Sequence, residues 1–300
     1  MRYTFSAWLF FFYFYCFLGW VWETCYVSVR QGKWVNRGFM RGPFLPIYGS
    51  GAIVVLIFTL PFRAAALPVF LVGMVSATVL EYFTGVAMER LFHVRYWDYS
   101  GKPLNLNGHI CALSSLAWGV FSVLLTMYGH NPVERLVLRM NPNLLEGIVF
   151  ALTAYISVDM AMSVREALDL KELLISLEEN NEEFRHLYRR FEVLSAFYGG
   201  SLKEKSEAGL RKISTALDTG KELYDKLGES GRKHKEAPKP SLLEKLEKAK
   251  RGKEYTGMRA LLRRNPYAVS RMHAHAFNEF LEFTQREEND NDKDIRDEGT

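Results

Sequence analysis

Cysteine is scarce in this chain of 300 residues. Cys16, Cys25 and Cys111 are odd in number, have no CxxC spacing and lie in or beside apolar segments. A disulfide framework or a zinc site needs cysteines, or cysteines and histidines, at close and regular spacing. The sequence supports neither kind of site, and we predict no metal and no cofactor.

The sequence also lacks motifs that carry familiar chemistry. GxxxxGK[ST], GxSxG, DDxxD and HxxxH are all absent. Without the first motif the chain has no phosphate-binding loop of its own for ATP hydrolysis. Without the second it has no hydrolase nucleophile elbow. Catalytic residues therefore stay unknown, and these absences favour a protein that is not an enzyme.

Charged residues are few in the first part of the chain. Residues 1–163 hold 11 Lys/Arg and 7 Asp/Glu, whereas residues 164–300 hold 27 of each kind. The net charge of +4 therefore belongs to the first part. A neutral second part lacks the basic face that nucleic acid requires, so no nucleic-acid partner is predicted.

Five apolar segments fill the first part, at 4–29, 44–60, 68–92, 109–127 and 144–164. A helix of about 20 apolar residues crosses a bilayer. The first segment is too long for a cleaved signal peptide and lacks a cleavage site. We predict an all-α fold, with a polytopic bundle of about five transmembrane helices over residues 1–163 and a cytoplasmic helical tail.

Positive charge predicts the orientation of this bundle. The loops at 30–41 and 90–102 carry seven Lys/Arg, against Arg63, Arg135 and Arg139 in the alternate loops. Loops rich in Lys and Arg stay in the cytoplasm. We therefore expect the N-terminus outside, and both charged loops and the tail inside.

A stripe of small residues and carboxylates marks the third apolar segment. Gly73, Ala77, Glu81, Gly85 and Glu89 recur at every fourth position, which places them on one helix face. Small residues allow membrane helices to pack closely, so this face is expected to contact protein. Because an ionisable group at membrane depth usually faces a bundle interior or a wet cavity, Glu81 is the centre of the predicted site.

Two polar loops adjoin this stripe. The first carries Arg37 and Arg41 among glycines and prolines, and a guanidinium binds carboxylate or phosphate through two parallel hydrogen bonds. The alternative is that both arginines only follow the positive-inside rule. In the second loop, Asn107 is expected to cap the following helix.

The predicted substrate-binding residues come from these segments and loops. The set is Glu23, Arg37, Arg41, Tyr48, Glu81, Glu89, Trp97, Asp98, Asn105, Asn107, His109 and Ser115. The partners expected for Glu81 are Arg37, Arg41, Tyr48, Asn107, His109, Ser114 and Ser115. A plainer alternative for Glu23 and for Asp159, a further member of the acidic cluster, is a solvated carboxylate at the headgroup level.

Heptad spacing follows the apolar part. Apolar residues occupy a and d positions from Leu170 to Tyr198, among them Leu173 and Leu177, as in a coiled coil. This pattern predicts a coiled coil or a helical hairpin over 164–227, which either folds back on itself or pairs with a second copy of the chain.

The remainder is predicted to alternate between linker and helix. Residues 228–240 have the Gly, Lys and Pro composition of a linker. Residues 241–286 are expected to be helical, with breaks at Gly252 and Pro266. The acidic end at 287–300 is expected to be disordered.

Three strings occur in order in the first half: FLGWVWE, VNRGFMRGPFLPIYGSG and LEYFTGVAMERLFHVRYWDYSGKPLNLNGHICALSS. Together they closely resemble the bacterial family of small membrane proteins described as Putative ABC-transporter type IV. The resemblance implies an integral protein of the bacterial inner membrane with a transport-linked role. Because the chain has no phosphate-binding loop, the resemblance also implies a separate ATPase subunit as its partner.

Three functions remain open at this point. The first is a permease-like component of a transport system, with a polar site between helices at the cytoplasmic side. The second is a membrane-embedded enzyme, with Glu81 or Glu89 as general base and Arg37 or Arg41 holding an anionic, lipid-like substrate. The third is a membrane-anchored scaffold whose working part is the coiled coil.

Overall fold

The computed structural model describes the backbone of residues 3–199, 246, 249–250 and 252–297, and the side chains of 3–178, 246, 249–250, 252 and 254–285. Within these residues the fold is all-α, as predicted, and contains no strand. The chain divides into one unit of Met1–Leu174 with Ala249–Thr300 and a second unit of Ile175–Lys248. The helical bundle and the polar loops that join its helices lie in the first unit.

Eight α-helices are found in the described residues. They are α1 (Phe5–Gln31), α2 (Pro46–Thr59), α3 (Ala66–Phe92), α4 (Ala112–Val123), α5 (His130–Arg139), α6 (Pro142–Gly199), α7 (Lys253–Arg264) and α8 (Ala274–Asp297). A 3-10 turn, Leu60–Phe62, extends α2, and a π-helical segment, Leu124–Gly129, joins α4 to α5.

Four stretches of the described chain are long and apolar enough to cross a membrane: Phe5–Gln31, Ala66–Phe92, Ala112–Arg139 and Pro142–Glu178. The second predicted span falls on the shorter apolar helix Pro46–Phe62. With the rise of an α-helix and of a final 3-10 turn, that helix is on the order of 27 Å long. This length approaches the roughly 30 Å of a bilayer core.

Contacts at the ends of the helices show that the bundle has two ends, between which its helices run. At one end, the hydroxyl of Tyr3 donates to Glu134 at 2.6 Å, and Arg63 lies 3.8 Å from the same carboxylate. At the other end, Arg37 donates to the backbone oxygen of Tyr96 at 3.2 Å. We call these the Tyr3 end and the loop end. Helix α2 therefore runs from one end to the other, like the longer helices.

The predicted stripe on α3 is buried. Gly73, Ala77, Glu81 and Gly85 all lie on the buried face of the helix. A Cβ added at Gly73 would lie 2.2 Å from Ser122, and one added at Gly85 would lie 2.9 Å from His109. The small residues thus bring α3 against α4 and the loop that precedes it, and Glu81 sits in that contact.

The interval between the fourth and fifth apolar segments, residues 128–143, is largely helical. Helix α5 continues the fourth span to Arg139. Its buried residues, His130, Val133, Glu134 and Val137, follow the i, i+3, i+4, i+7 spacing of an amphipathic helix. The segment is therefore a helix with a polar buried stripe.

Burial in the first part of the predicted heptad follows some of its positions. Leu170 and Leu177 are fully buried, whereas Leu173 is only partly buried and its neighbour Leu174 is fully buried. The pattern alone did not distinguish two adjacent leucines at 173 and 174. The heptad side chains beyond residue 178, the predicted hairpin from residue 200 to 227 and the linker at 228–240 lie outside the described residues.

The C-terminal segment contains two of the described helices. Helix α7 follows Gly252 and ends before Pro266. Helix α8 runs from Ala274 to Asp297 and includes part of the acidic end. Acidic residues at i with Lys or Arg at i+3 or i+4, such as Asp292 and Arg296, favour a helix despite the high charge.

Candidate functional site

A cavity of about 390 Å³ lies at the loop end of the bundle, and we call it the loop-end cavity. Its charged lining residues are Glu23, Arg37 and Glu81. Aromatic side chains form much of the remaining wall: Phe39, Tyr48, Phe92, Tyr96, Trp97, Tyr99 and Trp118. A few charged groups on apolar and aromatic walls are typical of a small-molecule site.

Arg37 contributes a buried positive charge to this cavity. Its side chain is 11% exposed. Nη1 donates to the amide oxygen of Asn265 at 2.6 Å, and Nε lies 3.7 Å from Glu23. Burial lowers the pKa of the guanidinium, and the charge of Glu23 opposes this shift. Because the carboxylate contact is long, the charge of Arg37 is only partly compensated.

Glu23 and Tyr48 join α1 to α2 beside that guanidinium. The Tyr48 hydroxyl donates to Oε1 of Glu23 at 2.6 Å. Gly19, one helical turn before Glu23, makes room for the tyrosine, because a Cβ there would lie 2.3 Å from Tyr48. The spacing of Gly19 and Glu23 on one face of α1 therefore seats the ring and holds its hydroxyl.

Glu81 is 6% exposed and accepts two hydrogen bonds. The Tyr99 hydroxyl donates to Oε1 at 3.3 Å, and the indole nitrogen of Trp118 donates to Oε2 at 3.0 Å. Ser114 is also close to this carboxylate. Burial and the charge of Glu81 raise the pKa of Tyr99, so its hydroxyl stays a donor.

These partners differ from the expected ones. Of the seven groups predicted to pair with Glu81, only Ser114 approaches it. Arg37 and Tyr48 line the same cavity but bond to other groups. The two donors that were not predicted are Tyr99, in the second polar loop, and Trp118, which lies two turns into α4.

A second cavity, of about 330 Å³, lies among α1, α2, α4 and the π-helical segment, and we call it the inner cavity. It opens on the surface of the bundle beside the exposed side chains of Leu18, Trp22 and Leu124. Tyr48 and Trp118 line both cavities. Their ring centroids are 6.2 Å apart. Each of the two residues is hydrogen-bonded to a carboxylate, Tyr48 to Glu23 and Trp118 to Glu81. The two rings thus stand between the cavities.

A polar cluster lies beyond the inner cavity toward the Tyr3 end. Tyr15, which lines the inner cavity, has its hydroxyl 2.9 Å from Nδ1 of His130. The other ring nitrogen of His130 is 3.2 Å from the Tyr3 hydroxyl, which also bonds Glu134. Polar groups therefore occur at both ends of the bundle, with the inner cavity between them.

The predicted site residues separate into two groups. Those that line the loop-end cavity are Glu23, Arg37, Tyr48, Glu81 and Trp97. Those that lie elsewhere are Arg41, Glu89, Asp98, Asn105, Asn107, His109 and Ser115. The contacts of this second group give most of its members a structural explanation.

Glu89, Asp98 and His109 are connected through Arg95. Arg95 lies 2.6 Å from Glu89 and 3.4 Å from Asp98, and Nε2 of His109 lies 3.2 Å from Glu89. Burial and the charge of Arg95 lower the pKa of His109 although Glu89 opposes this. Burial by itself raises the pKa of Asp98. Hydrogen bonds from Ser100 and the charges of Arg271 and Arg95 lower it by more, so the pKa lies below its ordinary value.

Arg41 belongs to a different ion-pair cluster. It donates to Oε1 of Glu166 at 2.8 Å, and Arg264 donates to Oε2 of the same carboxylate at 2.6 Å. Asp159 accepts the backbone N–H groups of Arg41 and Gly42 at 3.2 and 2.8 Å. These contacts tie the first polar loop to α6.

The remaining predicted residues shape the second polar loop. Asn105 bonds backbone groups of Lys102 and Gly108. Asn107 does not cap α4, because it has a left-handed φ of 53° and α4 begins later. Cys111 is the cap, and its sulfur accepts from the backbone N–H of Ser114 at 3.4 Å. Ser115 lies within α4 and does not line the cavity.

The C-terminal segment supplies the part of the wall that sequence reasoning missed. Asn265 lines the loop-end cavity and donates to the backbone oxygen of Gly38 at 2.9 Å. Val269 pairs with Arg95 through backbone hydrogen bonds of 2.8 and 2.9 Å. The sequence signal for a role of this segment was the pair Arg263 and Arg264 before Asn265. No spacing rule relates that pair to the first polar loop.

The family model described as Putative ABC-transporter type IV matches residues 10–164. No curated protein and no solved structure matches the chain. The matched residues include Glu23, Arg37, Tyr48, Glu81 and Trp118, but not Glu166, Arg264 or Asn265. The chain belongs to this transporter family, and with its long apolar helices it is a membrane protein.

Proposed function

We propose that this member of the family is the permease-like membrane component of a transport system, and that its solute binds in the loop-end cavity. The observation that carries the proposal is the position of Glu23, Arg37 and Glu81 on the wall of one cavity inside an apolar bundle. Ionisable groups at membrane depth mark solute and ion pathways.

The balance of charge indicates the kind of solute. Two carboxylates and one guanidinium line the cavity, and aromatic rings attract positively charged groups. A small solute with a positive group is favoured, either a cation or a zwitterion whose carboxylate contacts Arg37. The hydroxyl of Tyr96, which is buried and has no hydrogen-bond partner among the described side chains, is one further donor at this wall.

Passage between the cavities requires the rings of Tyr48 and Trp118 to separate. Each ring is held by one hydrogen bond to a carboxylate of the loop-end cavity. A positive group that binds Glu23 or Glu81 competes for the same oxygens. In this proposal, solute binding weakens the restraint on the rings and opens the way to the inner cavity.

The loop end is proposed to face the cytoplasm of the bacterial cell. Seven Lys/Arg of the two polar loops lie at this end, and cytoplasmic loops carry such an excess. The N-terminus then lies outside, and the C-terminal segment lies inside.

A separate ATPase subunit is the partner that this function requires, because the chain has no phosphate-binding loop. The cytoplasmic tail is the surface on which it would dock, and the heptad of α6 is proposed to pair with a second copy of the chain. Two of the residues that the enzyme hypothesis would use are already ion-paired within the chain. Glu89 is paired with Arg95, and Arg41 is paired with Glu166.

Inside-out vesicles of the bacterium that encodes the chain test the transport proposal, because they contain any partner ATPase. Vesicles with the wild-type chain, Glu81→Gln or Arg37→Gln, at matched abundance, receive ATP and a mixture of small metabolites. Mass spectrometry should find at least one cationic or zwitterionic solute whose content depends on the wild-type chain alone. Identical solute contents in all three preparations would contradict the proposal.

A further inference from the structure

A third cavity, separate from the two described above, lies between the first polar loop and the C-terminal helices. Its volume is about 640 Å³. Lys33, Trp34 and Asn36 of the loop line one side. Arg259 and Arg263 of α7 and Thr284 of α8 are among the residues on the other sides. We call it the basic cleft.

The charge of the basic cleft has one sign. Its lining contains four cationic side chains, Lys33, Arg259, Arg263 and Arg264, and no carboxylate among the described residues. Arg264 is bonded to Glu166, and Arg259 and Arg263 also have partners within the chain. A guanidinium has five N–H donors, so these groups can bind an anion and keep other partners. Lys33 and Arg263 are exposed and accessible.

The cleft adjoins the membrane-facing surface at the end of α1. On α1, Val29 is 83% exposed and Tyr26 is half exposed. Trp34, in the loop that follows α1, is 71% exposed. Exposed Trp and Tyr near the end of a span are typical of the headgroup level of a bilayer. A cationic cavity that opens at this level faces lipid headgroups.

We infer that the basic cleft binds the phosphate headgroup of an anionic membrane lipid, with Lys33 and Arg263 as its accessible contacts. Basic pockets beside membrane helices on the cytoplasmic side are suited to anionic headgroups. The volume accommodates a phosphate with its glycerol substituent, and the acyl chains remain outside, against α1. The inference rests on the proposed orientation of the loop end toward the cytoplasm, but it does not depend on transport of a solute through the loop-end cavity.

Native mass spectrometry of the full chain in detergent tests this inference. The probes are dioctanoyl phosphatidylglycerol and dioctanoyl phosphatidylcholine, which differ in headgroup charge. The wild-type chain should retain the anionic lipid preferentially. Lys33→Gln and Arg263→Gln should each weaken that binding about fivefold, since a cation near a headgroup contributes about this factor, and the double variant about 25-fold. Lys102→Gln is the control, because Lys102 is exposed at the same end but does not line the cleft.

A competition arm distinguishes a lipid from a free phosphate compound. Inorganic pyrophosphate should displace the lipid only at much higher concentration. If pyrophosphate binds as well as the lipid, the site serves a soluble phosphate and the inference is wrong. Equal loss of binding in Lys102→Gln, or equal retention of phosphatidylcholine, would overturn it as well, and both outcomes leave the vesicle experiment on Glu81 unaffected.

Discussion

Trp118 donates its indole N–H to Glu81 at 3.0 Å while its ring lies 6.2 Å from that of Tyr48. One hydrogen bond therefore connects a buried carboxylate of α3 to the partition between two cavities. We expect a change at the carboxylate to alter the position of the ring through this contact, and a change at the ring to alter the restraint on the carboxylate.

Trp118→Phe keeps an aromatic ring but removes the N–H that Glu81 accepts. We expect the chain to remain folded, with a loss of about 2 kcal/mol for one hydrogen bond to a carboxylate. A cysteine placed in the inner cavity at Ala52, which is buried, should become more reactive toward a reagent added from the loop end. The control is Trp20→Phe, because it removes an indole hydrogen bond to Asn36 at a residue that lines neither cavity. An unchanged labelling rate at Ala52→Cys would show that Trp118 does not restrain the partition.

Glu166 is 4% exposed and pairs with Arg41 and Arg264. Glu166→Ala leaves Arg264 buried without its carboxylate, which typically costs about 3 kcal/mol or more. A lower unfolding midpoint and faster proteolysis of the C-terminal segment should follow. Glu172→Ala, an exposed carboxylate of the same helix, should change stability by less than about 0.5 kcal/mol. Equal midpoints for the two variants would contradict the bridging role.

Gly73 and Gly147 form a matched pair for testing the α3 stripe. A Cβ at Gly73 would lie 2.2 Å from Ser122, whereas nothing lies within 4 Å of one at Gly147. Gly73→Ala should lower the amount of folded protein that elutes as a single species from a sizing column. Gly147→Ala should match the wild type or gain up to about 1 kcal/mol, since Ala favours helix. If both variants behave alike, close packing at Gly73 is unimportant.

The pH dependence of stability follows from His93 and His109, which lie outside the spans. Burial, with Lys171 and His273 nearby, lowers the pKa of His93, and burial with Arg95 lowers that of His109. The folded chain therefore binds fewer protons than the unfolded chain below the ordinary value of 6.5. Stability should be fully present above that value and should fall as the pH decreases through it.

The measurement is the unfolding midpoint of the full chain in detergent between about pH 8 and pH 5. His109→Gln should make this decrease less steep. The slope of the unfolding free energy against pH should fall by up to about 1.4 kcal/mol per pH unit, which is the contribution of one proton. Asp98 does not interfere, because its lowered pKa places its effect below 3.8. A wild-type midpoint that rises on acidification would contradict the prediction.

The proposed topology is testable with single cysteines. In a Cys25→Ser background the two remaining cysteines are buried. Asn141→Cys, in the break before α6, should react with an impermeant maleimide in intact cells. Lys102→Cys should react only in inside-out vesicles. The reverse labelling pattern at both positions would mean that the loop end faces outward.

Periodicity explains what was predictable in the fold. The four-residue repeat on α3 placed Glu81 on a buried face because helical geometry alone fixes which residues share a side. Helical geometry likewise places Gly19 and Glu23 on one face of α1, where Tyr48 of α2 packs against the glycine. By contrast, Asn107 is flanked by turn residues as a cap would be, and only the left-handed backbone at 107 and 108 shows that the helix begins at Ala112.

Contacts between distant parts of the chain were beyond sequence reasoning. Arg37 bonds Asn265, which lies 228 residues away. No spacing rule relates two residues at that separation, and an arginine or an asparagine in a loop has many available partners. Trp118 was overlooked for a different reason: a tryptophan in a span is ordinarily assigned to lipid or packing, and its N–H is noticed only when a carboxylate lies opposite.

The wall that Asn265 contributes lies outside the part of the chain that defines the family. Residues 10–164 carry the family match, while Asn265 donates to the backbone oxygen of Gly38 from beyond it. A substitution at Asn265 alters what contacts Arg37 without changing any residue of the matched bundle. In the transport proposed above, solute preference is therefore adjustable from one side of the cavity, without rebuilding the membrane-spanning part.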